Sequence, residues 1–80
     1  MWIEKDNTLQ ETFQFKDFVH ALDFMTRIAF IAEKMNHHPD WSNVYNKVEI
    51  KLSTHDAGNI VTDKDRKLAD AIDTVFAELK

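Results

Sequence analysis

The order of periodicities along this chain predicts an α+β fold: a four-stranded antiparallel sheet with two helices packed on one face. Three observations predict it. Two-residue alternation occupies residues 2–15 and 41–55, and turn chemistry interrupts each stretch once, so each reads as a pair of strands. Three- and four-residue spacing of apolar side chains occupies 17–36 and 62–79. The resulting order, strand-strand-helix-strand-strand-helix, keeps strand pairs together and places helices between them, the pattern of an antiparallel sheet with helices on one side.

Each element follows from local chemistry. Trp2 and Ile3 open the first strand, and Asp6-Asn7-Thr8 supplies a turn. The second strand runs Leu9 to Phe15, with Leu9, Glu11, Phe13 and Phe15 on one face, which points Phe13 and Phe15 at a core. Asp17 is placed to cap a helix that runs to about Asn36. Its core stripe is predicted as Phe18, Ala21, Leu22, Met25, Ile28, Ala29, Ala32 and Met35, with Phe24, Phe30 and Ile31 lying off it. Asn36 can take the left-handed cap conformation, and Pro39 forbids continuation. Trp41–Tyr45 reads as a short strand and Asn46-Lys47 as its turn. Val48–His55 reads as the next strand, with Val48, Ile50 and Leu52 inward and Glu49, Lys51, Ser53 and His55 on the other side. Asp56-Ala57-Gly58-Asn59 is a loop. Thr62 and Asp65 form a capping-box pair ahead of a helix that carries Leu68, Ala69, Ile72, Val75, Phe76 and Leu79 on one face.

Composition bounds the function. Eighty residues leave room for one core, so residues 1–80 are expected to form a single domain. The formal charge of -4 and pI near 5.4 argue against a nucleic-acid partner, since such binding rests on Lys and Arg neutralising phosphates. No cysteine is present, so disulfides, thiolate catalysis and Cys-ligated zinc are removed together. The amino terminus carries neither a basic segment nor an apolar one, and no run of about 18 apolar residues occurs anywhere. The expectation is a cytoplasmic protein with no membrane contact.

The chemistry lies in the histidines. His37 and His38 follow the long helix and His55 ends the cleanest strand, with acids at Asp56 and Asp65. Imidazole gives or takes a proton at neutral pH, and element ends present side chains to clefts. A lone surface histidine would be a solvated loop residue; three at element ends beside acids point to acid/base work. His20, in the first turn of the long helix, has no such company and reads as a helix-surface residue. A metal is the rival reading, and the spacing argues against it: adjacent His37 and His38 diverge, and no HExxH or i,i+4 histidine pair occurs. No glycine-rich phosphate loop and no GxSxG motif is present. These residues leave metal-free, cofactor-free acid/base chemistry or no chemistry.

The run from Glu33 through His37-His38-Pro39, Trp41 and Tyr45 to Ser53-Thr54-His55-Asp56 resembles the pterin-4a-carbinolamine dehydratase family. Glu33, His37, His38, Pro39, Tyr45, His55 and Asp65 fill the places of its motif in order. The resemblance extends to Phe15–Phe18 and Phe24–Arg27 upstream and Leu68-Ala69 downstream, nearly the whole chain. It implies that Asn36, His37 and His38 contact a reduced pterin from one side and Ser53, Thr54, His55 and Asp56 from the other. It further implies that His37, His38, His55 and Asp65 form the catalytic set, His38 and His55 being the principal acid/base pair and His37 assisting or anchoring. Glu33, Pro39, Trp41 and Tyr45 are candidate supports. Trp41 and Tyr45 read equally as packing residues, Asp65 equally as a helix cap, and Glu33 as a solvated helix acid.

Three departures from the family pattern stand out. Asn36 replaces a common Asp, the loop from Asp56 to Asp65 is one residue longer, and the chain starts at the first strand where most members begin with a helix. The implied activity is dehydration of 4a-hydroxytetrahydrobiopterin to quinonoid dihydropterin, in tetrahydrobiopterin recycling. It needs no cofactor and no metal. The alternative is a non-catalytic protein-binding module, a dimerisation cofactor of a transcription factor or an assembly factor. Phe24, Phe30 and Ile31, lying off the stripe, lead to the expectation of a homo-oligomer, dimer or tetramer, built through the long helix or an edge strand.

Overall fold

The computed structural model describes residues 1–79. The elements are β1 (Ile3–Lys5), β2 (Thr8–Gln14), α1 (Phe18–Met35), β3 (Asp40–Val44), β4 (Lys47–Leu52), a single 3-10 turn at His55–Ala57, and α2 (Asp63–Leu79). All strand pairs are antiparallel and the spatial order is β1-β2-β4-β3. The α+β class and the predicted element order hold. The bounds of β2 and β3 and the start of β4 each differ from the expectation by one residue, and the end of β4 by more. The β3–β4 turn is Tyr45-Asn46, with Tyr45 in the left-handed region at φ 53°. And β4 stops at Leu52, so His55 sits in the 3-10 turn instead of ending the strand.

The β1–β2 turn needs two consecutive residues at positive φ, and Asp6 (53°) and Asn7 (61°) supply them. Asp and Asn tolerate that region better than most side chains, and the turn's twist matches its strands. In β2 and β4 the register pairs Leu9 with Leu52, Glu11 with Ile50, and Phe13 with Val48. Since the side-chain period is two, this pairing puts Leu9, Phe13, Val48, Ile50 and Leu52 on one face, and all five are buried. The helices cover that face.

The long helix is where packing departs from the periodicity reading. Its buried residues are Ala21, Phe24, Ile28 and Ala32, flanked by partly buried Met25, Ile31 and Met35. Phe24 is thus a core residue, not an off-stripe one, while Phe18, Leu22 and Ala29 are exposed. The helix is apolar on several sides, so more than one stripe satisfies the same period. Shape makes the choice: Ala21 and Ala32 let the backbone approach its neighbours, and Phe24 fills the space between them. Phe24 meets Phe13 at 5.0 Å, Phe15 at 4.9 Å and Phe76 at 6.1 Å between ring centroids. Trp2 closes this cluster on Phe13 at 5.9 Å and donates from its indole Nε1 to Asp73 Oδ1 of α2 at 2.9 Å. Tilted aromatic pairs of this kind each add ~0.5–1.5 kcal/mol beyond area burial. In α2 the predicted stripe is observed, with Leu68, Ala69, Ile72 and Val75 buried and Phe76 and Leu79 partly so. No helix among the described residues is long and apolar enough to cross a membrane.

The start of α1 carries a titratable cap. Asp17 Oδ1 accepts from the His20 backbone N–H at 2.9 Å and lies 2.6 Å from His20 Nδ1, so His20 is exposed as expected but not unpartnered. The backbone N–H of His20, and then its side chain, hold the Asp17 carboxyl below its ordinary value of 3.8. A depressed carboxyl contributes stability above the unfolded value, and that contribution is lost as pH falls through the folded value. Asp17→Asn keeps an oxygen for the cap and removes the titration. The acid limb of thermal stability below about pH 3.8 should therefore be shallower in Asp17→Asn than in the unchanged protein, as measured by melting temperature against pH.

Candidate active site

Two chain reversals bring the histidines together. At the first, Asn36 takes the left-handed conformation (φ 51°, ψ 42°) and its N–H reaches the carbonyls of Ala32 and Glu33. The chain then turns off the end of α1, and the His37 N–H caps Ala32 O at 3.0 Å. Pro39 follows and prevents further helix. The second reversal is the loop 54–60, closed by a bridge between Thr54 and Ile60, with Thr54 N–H on Ile60 O at 2.8 Å. Within it the 3-10 turn carries His55, and Gly58 ends it at φ 90°, where a side chain would be strained.

These reversals meet at one cavity of about 300 Å³. Asn36, His37 and His38 line it from one side, and Ser53, Thr54, His55 and Asp56 from the other, with Lys64 at the start of α2. The structure therefore gathers all seven residues that the resemblance placed around a ligand. Asp65 lies behind them, fully buried. Trp41 and Tyr45 are not among the lining residues: Trp41 pairs with Ile50 and packs against the core, and Tyr45 occupies the exposed β3–β4 turn. Lys64 was not legible in the sequence, where nothing separates it from the other surface lysines.

The three imidazoles have different partners. His37 is 8% exposed and its Nε2 lies 2.5 Å from Asp65 Oδ1. Asp65 Oδ2 accepts from the Thr54 hydroxyl at 2.8 Å and from the Thr62 N–H at 2.9 Å. The buried carboxylate thus has a partner for each oxygen, as a buried charge requires. His38 is exposed, and its Nε2 lies 2.7 Å from Glu33 Oε1, so Glu33 is a histidine partner and not a free helix acid. His55 is exposed, with its Nδ1 3.1 Å from Asn59 Oδ1. A carboxylate accepts only, so His38 Nε2 and His37 Nε2 donate; the amide oxygen likewise accepts from His55 Nδ1. Among the described residues, no group of three or more His, Asp or Glu is arranged to hold a metal ion.

Fold and site together describe a small α+β domain that presents histidines, each oriented by a hydrogen-bonding side chain, to an open polar cavity. The chain matches the family described as pterin 4 alpha carbinolamine dehydratase over residues 1–75, and it belongs to that family. A Prochlorococcus marinus (strain NATL2A) protein, named provisionally as a pterin-4-alpha-carbinolamine dehydratase, is 51% identical over 75 residues, 94% of this chain and 78% of the relative. One from strain MIT 9515, named in the same way, is 55% identical over 94% of this chain and 77% of its own. The crystal structure of a transcriptional coactivator/pterin dehydratase from Brucella melitensis superposes with a TM-score of 0.88 at 41% identity, covering 92% of this chain and 80% of that one. A pterin dehydratase-like protein identified as a RuBisCO assembly factor in the α-carboxysome shares the fold, with a TM-score of 0.76 at 21% identity over 95% and 87% of the two chains.

Removing the acceptor of a buried donor costs ~1–3 kcal/mol, and Asp65 accepts from His37 Nε2–H, the Thr54 hydroxyl and the Thr62 N–H. Asp65→Ala should lose about that much of the unfolding free energy in a denaturant titration. For a domain of this size the loss is a large share of the total. Glu33→Ala, at an exposed pair, should change stability by less than ~1 kcal/mol.

Proposed function

We propose that this protein is a 4a-hydroxytetrahydropterin dehydratase working by histidine acid/base catalysis. The observation that carries the reading is the convergence of His37, His38 and His55, from two separate segments, on one cavity. In the reaction the C4a–O bond breaks as a proton is delivered to the departing hydroxyl. The N5–H proton is removed, N5=C4a forms, and water and the quinonoid dihydropterin leave. His38 suits the acid: Glu33 Oε1 accepts from its Nε2–H and so orients the ring at the cavity. His55 suits the base: with Nδ1 donating to Asn59, its Nε2 keeps a lone pair. His37, nearly buried on Asp65, assists the proton transfers. Asn36, Ser53 and Asp56 supply polar contacts for the pterin ring, and no cofactor is required by this scheme.

Each positioned acid or base contributes typically 10²–10⁴-fold. His38→Ala and His55→Ala should each lower the enzyme-dependent rate of carbinolamine breakdown at least about tenfold, read where spontaneous dehydration is slow, and both should remain folded because the two side chains are exposed. Wild-type rates in both variants would transfer support to the alternative, a non-catalytic protein-binding module, a role consistent with the coactivator half of the Brucella melitensis protein's description.

We further propose self-association through α1. Val19, Leu22 and Phe30 stand exposed on it, Phe30 at 75%. Burying side chains of this size yields roughly 1.5–3 kcal/mol each, so a few per subunit offset the cost of association. The unchanged protein should sediment as a dimer or larger at tens of micromolar, and Phe30→Glu should shift it toward monomer and make its melting temperature more dependent on concentration. A monomer under those conditions for the unchanged protein would overturn the assembly.

A further inference from the structure

One polar feature has no part in the scheme above: the hydroxyls of buried Thr54 and half-buried Thr62, whose oxygens lie 2.6 Å apart. Their direction follows from proton counting. The Thr54 hydroxyl has one hydrogen, and it is directed to Asp65 Oδ2 at 2.8 Å. The hydrogen between the two hydroxyls must therefore come from Thr62. Thr62 O–H donates to Thr54 Oγ1, Thr54 O–H donates to Asp65 Oδ2, and His37 Nε2–H donates to Asp65 Oδ1. Thr62 is also unusual as a helix cap. Asp65 bonds back to its N–H at 2.9 Å, but the Asp65 N–H goes to the Thr62 carbonyl at 3.1 Å, and the hydroxyl is turned toward Thr54. Thr54 itself is buried, at 7% exposure, with its hydroxyl committed inward.

We infer that Thr54 and Thr62 are positioning residues: their hydroxyls hold the Asp65 carboxylate so that His37 keeps its proton on Nε2 and offers only Nδ1 to the cavity. Among the described residues no buried side-chain nitrogen lacks a partner, so Nδ1 is not sealed inside the protein. The inference rests on the proposed dehydratase reading for its kinetic consequence, and on the hydrogen-bond geometry alone for its effect on His37. It moves Thr54 from the ligand-contact role that the resemblance implied to one exercised through Asp65 and His37.

The test pairs kinetics with imidazole NMR on the full chain. Long-range ¹H–¹⁵N spectra of the unchanged protein should show neutral His37 protonated at Nε2. In Thr54→Val and Thr62→Val, which keep side-chain shape and the Thr62 N–H, that tautomer should mix with the other, and Thr→Ser at each position should restore it. The rate kcat should fall roughly tenfold in both valine variants with KM nearly unchanged, a fraction of the 10²–10⁴ that an oriented acid or base contributes. Neutral His37 protonated at Nδ1 in the unchanged protein would overturn the inference before any variant is made. So would unaltered His37 spectra in both valine variants, or a rise in KM alone on losing the Thr54 hydroxyl. If the unchanged protein lacks dehydratase activity the proposed function fails, while the spectra still decide the role of the threonines.

Discussion

The Asp65 carboxylate joins the three parts of the chain that build the cavity. It is fully buried, and its partners come from the end of α1 (His37), the segment after β4 (Thr54) and the entry to α2 (Thr62). Taking a carboxylate out of water costs several kcal/mol, and the cost is offset only where its lone pairs are met with good geometry. The three segments are therefore held at one relative placement. Shift any of them by an ångström and a buried charge loses a partner.

The sheet and the aromatic cluster carry the load that this polar junction cannot. Phe13, Phe15, Phe24, Phe76 and Trp2 draw β2, α1, α2 and the chain start around one centre. With so few residues, little apolar area is available to offset chain entropy, and tightly filled aromatic contacts make the most of it. This division leaves the rim of the cavity free for function. His38 and His55 are exposed, and their partners Glu33 and Asn59 are short-range neighbours whose loss does not open the core.

Much of the site was legible because its residues sit where punctuation marks fall. Asn36 and Pro39 end the helix, and the turn after β4 is marked by Asp56 and Gly58, so the histidines beside these signals could be placed at element ends. The resemblance to a family then joined them across the intervening segments. Trp41 and Tyr45 could not be resolved, because an aromatic on a short strand has the same signature whether it packs or binds. Lys64 and Thr62 carried no sequence signal for a site, since a lysine or a threonine at the start of a helix is ordinary, and Thr54 was reached only through the family resemblance, as a ligand contact.

Local chemistry by itself determined the element order, the α+β class, the inward faces of β2 and β4 and the stripe of α2, because each depends on spacing within one segment. The tertiary structure decided which stripe of α1 is buried, since several satisfy the helical period and only packing against the sheet selects Ala21, Phe24, Ile28 and Ala32. It also decided that β4 stops at Leu52 and that His55 rides on a 3-10 turn, because the bridge from Thr54 to Ile60 closes that loop. And it decided the partner of each histidine. Asp65 is 28 residues from His37, and no local pattern reports a hydrogen bond made when two distant helix ends meet.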